Sequence, residues 1–315
     1  MIILIVSLLL ILLIVFFLAG NYFYRLALVP GTNRDVVFGA PHNEMDMGDI
    51  EEQEKDADNA WFEAEKEVVH ITSFDGLKLH GWFMKQKEET HRYAIICHGY
   101  TAEGMQMIGA GKRFGEEGFS VLLPDARGHG TSEGKYIGMG WHDRLDILEW
   151  IAFLTKQDKA AEIMLFGVSM GAATVMMTAG EALSPQVKVI VEDCGYTSAW
   201  DEFSYQLKAL FQLPKFPIMY AATAVAKLRA GFTLGEASAI RQLKKATVPI
   251  LFVHGSEDTF VPANMLEEVY AAADVPKEKI LVPGAGHGAA SAVLGEEYWK
   301  RVFAFVFGHM TTEEE

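Results

Sequence analysis

One serine lies in a glycine-flanked turn between a short apolar run and a helix-like stretch. Residues 163–171 read IMLFGVSMG, and residues 172–183 continue as AATVMMTAGEAL. An apolar run that enters Gly167-x-Ser169-x-Gly171 predicts a strand that turns sharply into a helix, because glycines permit a tight backbone. Such a turn exposes the serine hydroxyl at the top of a sheet. Ser169 is therefore the candidate nucleophile.

Two later loops carry the partners that such a serine needs. A serine hydroxyl is a weak nucleophile until a base takes its proton and a third group orients that base. Asp258 follows the apolar run 250–253, and His287 follows the apolar run 280–282 in a Gly-rich loop. Both residues lie just past the carboxyl ends of predicted strands, where doubly wound sheets place their sites. We expect the three side chains to meet at one edge of a sheet.

Short apolar runs alternate with helical patterns along most of the chain. Strands are predicted at residues 93–97, 120–123, 163–166, 188–191, 250–253 and 280–282. Near-continuous apolar strands separated by helices are typical of a parallel sheet covered on both faces. Residues 66–86 add a predicted hairpin at Asp75-Gly76, a pair that accepts the positive φ angles of a type I′ turn. The sequence predicts an α/β fold with a mostly parallel central sheet of about eight strands, the first two a hairpin, flanked by helices.

One interval interrupts this alternation after the sixth strand. Residues 197–240 are rich in Phe, Leu, Met and Tyr and are broken by Pro214 and Pro217. This composition predicts a helical insertion that covers the site as a lid. Ordinary helices packed on the sheet are the alternative.

The first residues are almost wholly apolar. Residues 2–19 are long enough to span about 30 Å of hydrocarbon at about 1.5 Å per residue. No basic residue precedes them, and only Ala19-Gly20 resembles a cleavage site, so a retained anchor is favoured over a signal peptide. The aromatic residues at 22–24 are typical of a membrane interface. We expect a single-pass transmembrane anchor over residues 1–24, with the side of the catalytic domain left open.

Acidic residues crowd the stretch that follows the anchor. Residues 25–60 are predicted to be an acidic tether that packs partly on the domain, and residues 61–310 one catalytic domain. The net charge is −15, and clustered cations of the kind that bind phosphate do not occur. We therefore expect no nucleic-acid partner.

The two cysteines and the histidines do not form a metal pattern. Cys97 and Cys194 end predicted buried strands and are interpreted as small core residues. The sequence contains no His-Glu-x-x-His motif, no Cys and His cluster and no phosphate-binding loop. We expect neither a metal nor a cofactor.

With the serine turn, the acid loop and the histidine loop together, residues 61–308 resemble the α/β-hydrolase superfamily, in its lipase, esterase and prolyl-oligopeptidase-like branch. The resemblance extends to His98-Gly99-Tyr100 after an apolar run and to DARGHGTS at residues 125–132, a loop interpreted as structural. It implies an oxyanion hole formed by the backbone N–H groups of Tyr100 and Met170. Loss of one such donor costs about 3–4 kcal/mol. The implied supporting residues are Gly167, Gly171, His98 and Gly99.

The resemblance implies acyl transfer by a Ser-His-Asp triad. Ser169 would attack the carbonyl, His287 would carry the proton, Asp258 would hold the imidazole, and water would release the acyl group. Chain order favours His287 as the base, with His129 as its rival. The GSEDxxVP pattern favours Asp258 as the acid. Its rivals are Asp193, at the end of a predicted strand, and Glu257; His254 adjoins the acid loop.

Three readings of function follow from the resemblance. The first is a membrane-anchored serine hydrolase that cleaves carboxylic esters or thioesters, with a small-molecule or lipid-like acyl substrate. The second is a serine peptidase of the prolyl-oligopeptidase-like type. The third is an inactive hydrolase fold that serves as a binding or scaffold protein. The sequence leaves the acyl group, the leaving group and the oligomeric state open.

Overall fold

The computed structural model describes residues 1–38, 52–88 and 90–310. The strands are β1 (Lys66–Thr72), β2 (Lys78–Met84), β3 (Arg92–Cys97), β4 (Ser120–Pro124), β5 (Glu162–Val168), β6 (Val187–Asp193), β7 (Ile250–Gly255) and β8 (Lys277–Val282). The helices are α1 (Ile2–Leu28), α2 (Asp35–Phe38), α3 (Glu52–Glu65), α4 (Ile108–Glu116), α5 (Asp143–Gln157), α6 (Met170–Thr178), α7 (Ala199–Phe211), α8 (Lys215–Ala230), α9 (Ala239–Leu243), α10 (Asn264–Ala272), α11 (Ala290–Leu294) and α12 (Glu296–Phe307).

The strands form one eight-stranded sheet in the order β1-β2-β4-β3-β5-β6-β7-β8. β1 pairs antiparallel with β2, and β2 pairs antiparallel with β4, whereas the other pairs are parallel. Because side chains alternate along a strand, Ile95 enters one core and Ile96 the other. Helices cover both cores. The predicted α/β fold, with its hairpin and its mostly parallel sheet, is confirmed.

The turn between β1 and β2 differs from the predicted type I′ turn. Gly76 donates its N–H to the carbonyl of Ser73 (3.0 Å), and Ser73 donates to the carbonyl of Leu77 (2.9 Å). Of these turn residues, all of which the structure describes, only Gly76 has a positive φ, 88°. The turn is therefore a type I turn closed by a left-handed glycine. The Asp75 carboxylate accepts hydrogen bonds from Ser73 Oγ (2.6 Å) and Arg127 Nη1 (3.0 Å).

The N-terminal helix packs on the domain with its last two turns. α1 is long and apolar enough to cross a membrane, and its first 18 residues are almost entirely exposed. Gly20, Tyr24 and Leu28 are buried. A Cβ at Gly20 would lie 2.5 Å from the Ala221 carbonyl oxygen, so only glycine permits this approach of α1 to α8.

The predicted tether of residues 25–60 is helical at both of its described ends. Residues 25–28 complete α1, and α3 begins within the predicted tether and packs on α4. Phe62, at the end of α3 and within the predicted catalytic domain, is 1% exposed, whereas residues 55–60 are mostly exposed. The last turn of α3 therefore joins the core of the domain. Most of the acidic stretch, residues 39–51, lies outside the described residues.

Three helices are inserted between β6 and β7, as predicted for residues 197–240. These are α7, α8 and α9. Ser198 caps α7 by accepting the N–H of Asp201 (3.0 Å), and Gln212 ends this helix in the left-handed conformation with φ 55°. The insertion follows the carboxyl end of β6, which is the edge of the sheet where Ser169 lies.

Candidate active site

Ser169 occupies a strained turn between β5 and α6. Its φ is 57° and its ψ is −117°, a conformation that non-glycine residues adopt at a cost of about 1–3 kcal/mol. The flanking glycines are needed for close approach rather than for positive φ. A Cβ at Gly167 would lie 2.3 Å from the Gly171 carbonyl oxygen, and one at Gly171 would lie 2.1 Å from the Cys97 carbonyl oxygen. The Ser169 N–H donates to the Asp193 carbonyl (2.8 Å) and holds the turn.

The structure brings Ser169, His287 and Asp258 into one hydrogen-bonded series. Ser169 Oγ lies 2.8 Å from His287 Nε2, and His287 Nδ1 lies 2.7 Å from Asp258 Oδ2. All three side chains are buried. This order, hydroxyl to imidazole to carboxylate, is the arrangement in which an imidazole can accept the serine proton. The loops after β5, β7 and β8 supply these residues, as predicted from the sequence.

Asp258 lies in an environment that stabilises its anion. Oδ1 accepts the backbone N–H groups of Phe260 (2.9 Å) and Val261 (2.8 Å), and Oδ2 also lies 3.2 Å from His254 Nε2. Burial alone would raise the pKa of Asp258, but hydrogen bonds from His254 and His287 outweigh it and lower the pKa to about 2. The carboxylate is therefore ionised at neutral pH and can stabilise an imidazolium on His287.

The rival residues are engaged elsewhere. Asp193 Oδ2 accepts the Tyr298 hydroxyl (2.7 Å), and burial raises the pKa of this carboxyl. Glu257 is exposed. The ring of His129 packs 5.0 Å from the ring of His98, and its Nδ1 lies 3.1 Å from the Arg127 carbonyl oxygen. The geometry favours Asp258 and His287 over all three.

The two implied oxyanion donors lie beside Ser169. A Cβ at Gly99 would stand 3.5 Å from Ser169 Cβ, so the His98-Gly99-Tyr100 turn lies directly against the nucleophile. Met170 is the first residue of α6, where the N–H groups of a helix are free to bind negative charge. Burial lowers the pKa of His98 to about 4, so its ring is neutral at pH 7. Its Nε2 accepts the Ala126 N–H (3.0 Å).

The DARGHGTS loop supports the site through buried hydrogen bonds. Arg127 is fully buried, and its Nε and Nη2 each donate to Asp146 over 2.7 Å. It also donates to Asp75 in the β1–β2 turn. Because Ala126 in this loop also binds His98, the loop ties the oxyanion turn to the hairpin. This agrees with its interpretation as structural.

An apolar pocket leads from Ser169 to the insertion and to the end of α1. Its polar lining side chains include Glu202 and Gln206. Its apolar walls come from the last turns of α1, from α7 and from α8, and they include Phe23, Ala27, Leu28, Leu207, Phe211, Ile218 and Met219. The wall formed by α1 was not predicted from the sequence. No local signal marks it, because the same apolar residues suit a membrane segment.

A buried arginine joins the end of α1 to the oxyanion turn. Arg34 Nε lies 2.7 Å from the Tyr100 hydroxyl oxygen and 2.9 Å from the Leu26 carbonyl oxygen, and Nη2 donates to the Val29 carbonyl (2.8 Å). The Tyr100 hydroxyl in turn donates to the Ala27 carbonyl. Arg34 is only 6% exposed. It therefore fastens the N-terminal segment to the turn that carries Tyr100.

Arg34→Ala is expected to lower the free energy of unfolding by about 2–4 kcal/mol, because it leaves buried carbonyl groups without a donor. Arg25→Ala is the matched control, since Arg25 is exposed on α1 in the same N-terminal segment, and it should change stability by less than about 0.5 kcal/mol. Denaturant unfolding of the full chain in detergent micelles measures both. Equal effects of the two substitutions would contradict the role given to Arg34.

Glu202 should make stability depend on pH. Burial raises the pKa of this carboxyl to about 8, although a hydrogen bond from Gln206 (3.0 Å) opposes the rise. The folded protein therefore keeps the proton up to about pH 8, whereas the unfolded chain loses it near pH 4.3. Its contribution to stability is present below about pH 4 and is lost as the pH rises to 8, at up to about 1.4 kcal/mol per unit.

Glu202→Gln is expected to flatten this pH dependence, because an amide does not ionise. Unfolding free energies of both proteins between pH 5 and pH 8 test this expectation. The wild type should lose stability relative to the variant as the pH rises. If the unfolding free energies of the wild type and the variant changed in parallel with pH, this would contradict the role given to Glu202.

Among the described residues, Cys194, Asp258 and His287 bring potential metal-ligand atoms within 4.8 Å of one another. Asp258 already binds His287, and His287 also binds Ser169. Burial, reinforced by the charge of Asp193, raises the pKa of the Cys194 thiol well above its ordinary value. A protonated thiol is a poor metal ligand. These three residues are therefore better arranged for hydrogen bonding to Ser169 through His287 than for binding a metal.

Comparisons with known proteins agree with this fold. A family model described as "Serine aminopeptidase, S33" matches residues 88–191. The uncharacterized protein YqkD of Bacillus subtilis is 28% identical over 263 residues, which are 82% of this chain and 86% of that protein. The esterase Pf2001 of Pyrococcus furiosus aligns with a TM-score of 0.63 and 24% identity, over 78% of this chain and 91% of its own. The acylaminoacyl peptidase of Pyrococcus horikoshii aligns with a TM-score of 0.59 and 19% identity, over 80% of this chain and 43% of its own.

These similarities, together with the sheet topology, show that the chain has the α/β-hydrolase fold, as the resemblance in the sequence predicted. The family match and the esterase and peptidase structures support a serine hydrolase in general.

Proposed function

We propose that the protein is a membrane-anchored serine hydrolase that cleaves carboxylic esters or thioesters through an acyl-enzyme. Ser169 is the nucleophile, His287 the general base and Asp258 the residue that orients His287. The single observation that carries the proposal is the 2.8 Å approach of Ser169 Oγ to His287 Nε2 at one end of an apolar pocket. A nucleophile and base in this contact are the parts that acyl transfer requires.

The reaction proceeds in two steps at this site. His287 Nε2 removes the Ser169 proton as Oγ attacks the carbonyl, and the backbone N–H groups of Tyr100 and Met170 stabilise the oxyanion. His287 then returns the proton to the leaving oxygen or sulfur. A water activated by His287 hydrolyses the acyl-enzyme and frees the acid.

The pocket supports an apolar acyl group. Its walls are aliphatic and aromatic side chains of α1, α7 and α8, and burial of each CH₂ of a substrate contributes about 0.8 kcal/mol. The apolar length of α1 and its exposure along residues 2–18 support a membrane anchor. Gly20, Leu28 and Arg34 pack on the domain and fix the end of α1 to it.

A serine peptidase is the second candidate, favoured by the family match to residues 88–191. Hydrolysis of matched acyl esters and aminoacyl anilides by the full chain in detergent tests the two against each other. We expect esters to be cleaved, with kcat/KM rising as the acyl chain is lengthened. Faster cleavage of the anilides would establish the peptidase. Cleavage of neither substrate class by the folded protein would favour an inactive scaffold.

A further inference from the structure

The insertion has a charge opposite to that of the chain. Residues 203–235 contain no Asp or Glu but include Lys208, Lys215, Lys227 and Arg229, in a protein of net charge −15. All four basic residues are exposed, and Lys227 is paired with Glu236. This part of the surface therefore attracts anions, whereas most of the protein repels them.

Exposed apolar side chains lie beside these cations. Leu213, Phe216 and Tyr220 are 37%, 72% and 52% exposed, and they cluster in the turn between α7 and α8 and in the first turns of α8. The rings of Phe216 and Tyr220 lie 5.8 Å apart. We call Lys208, Leu213, Lys215, Phe216 and Tyr220 the docking face. Aromatic and basic side chains in one patch are typical of surfaces that enter a lipid headgroup region.

The direction of α8 sets where this face lies. Gly20 of α1 contacts Ala221 of α8, and further along both helices the Arg229 guanidinium lies 5.6 Å from the centre of the Tyr24 ring. The two helices therefore run in the same direction. The N-terminal end of α8, with Phe216, consequently points to the side from which the apolar residues 2–18 of α1 emerge.

The docking face is also next to the substrate pocket. Phe211, Ile218 and Met219, which flank the turn on either side, line the pocket that reaches Ser169. The ring of Phe211 also packs 5.4 Å from the ring of Phe23 at the end of α1. The pocket thus lies between the nucleophile and the part of the surface that faces the apolar helix.

We propose that the docking face rests in the headgroup region of an anionic lipid bilayer, and that the pocket takes its acyl substrate from that bilayer. The second half of this proposal rests on the proposed hydrolase activity, and the first half rests on the proposed membrane anchor alone. Lys208 and Lys215 would bind anionic headgroups. Leu213, Phe216 and Tyr220 would enter the boundary between headgroups and acyl chains.

A fluorescent probe on Phe216→Cys tests the position of the face. The full chain is placed in nanodiscs of phosphatidylcholine and phosphatidylglycerol, and the introduced thiol is labelled with an environment-sensitive dye. Labelling is selective because Cys97 and Cys194 are 5% and 0% exposed. Leu281→Cys is the matched control, since Leu281 is 49% exposed on the edge strand β8.

We expect a lipid-attached quencher to reduce emission from position 216 several-fold more than from position 281. Equal quenching at the two positions would overturn the proposal. Quenching at 216 that appears only when two copies share one disc would assign the face to a second copy of the chain, and it would also overturn the proposal.

Charge reversal tests whether the face supplies the substrate. Lys208→Glu combined with Lys215→Glu should lower hydrolysis of a long-chain ester held in anionic vesicles by about tenfold. It should leave hydrolysis of a soluble short-chain ester unchanged. Lys244→Glu combined with Lys300→Glu, two exposed lysines outside the face, is the control. An equal loss on both substrates, or no loss in vesicles, would contradict delivery from the bilayer. If the wild type cleaves neither ester, the proposed function fails, and the probe at position 216 still decides where the face lies.

Discussion

Ser169→Ala is expected to lower kcat/KM for a short-chain aryl ester by at least ~10⁴-fold, because no acyl-enzyme can form without the hydroxyl. Steady-state kinetics of the full chain in detergent measure the effect. The fold should persist, since alanine keeps the Cβ and adds no atoms in a turn with φ 57°. The thermal midpoint of the variant should lie within about 5 °C of the wild type.

Activity within tenfold of the wild type would show that another residue carries the reaction. A large fall in the thermal midpoint would show that the hydroxyl is needed for the fold. Ser204→Ala is a suitable control, because Ser204 is a buried serine of the insertion and does not line the pocket. Its kcat/KM should stay within tenfold of the wild type.

His287→Ala should lower kcat/KM by at least ~10³-fold, whereas His129→Ala should lower it by less than ~10-fold. His287 Nε2 lies 2.8 Å from Ser169 Oγ, and its Nδ1 lies 2.7 Å from the ionised Asp258. His129 contacts the His98 ring and the Arg127 carbonyl. Both histidines are buried, so the two variants make cavities of similar size.

Kinetics of the two variants at pH 7, with thermal unfolding of each, make this comparison. The reverse order of activities would identify His129 as the base. A fall of similar size in both variants, with stability retained, would contradict the proton relay through His287 alone.

The local part of the site could be predicted from the sequence because it depends on short-range geometry. The apolar run, two glycines and a serine at residues 163–171 are enough to specify a strand, a tight turn and a helix. The loops after β7 and β8 follow apolar runs of the same kind. Because parallel strands bring their carboxyl ends to one edge, the meeting of these loops follows from the fold class.

The remainder depends on contacts between residues that are distant in the sequence. The turn at Asp75 departs from the type I′ geometry of an Asp-Gly pair, and its carboxylate binds Arg127, far along the chain. In the sequence, Arg34 is simply a basic residue that follows the predicted anchor. In the structure, it binds the Tyr100 hydroxyl. Neither contact leaves a periodic or compositional signal.

The end of α1 is the largest difference between expectation and structure. An apolar segment with an aromatic end fits a membrane anchor that stops at residue 24. The same residues also fit the wall of an apolar pocket, and the structure uses Phe23, Ala27 and Leu28 in this way. A pocket wall and a membrane anchor differ here in the contacts that the end of α1 makes with α7 and α8. We therefore expect a chain shortened past Leu28 to lose part of its substrate pocket.

The most direct test of the account is labelling of the full chain with a fluorophosphonate, which reacts with an activated serine. Peptide mapping then identifies the modified residue. We expect one label, on Ser169, that disappears in Ser169→Ala and falls sharply in His287→Ala. Absence of label on the folded wild type, or a label that persists in Ser169→Ala, would contradict the central claim that Ser169 is the nucleophile.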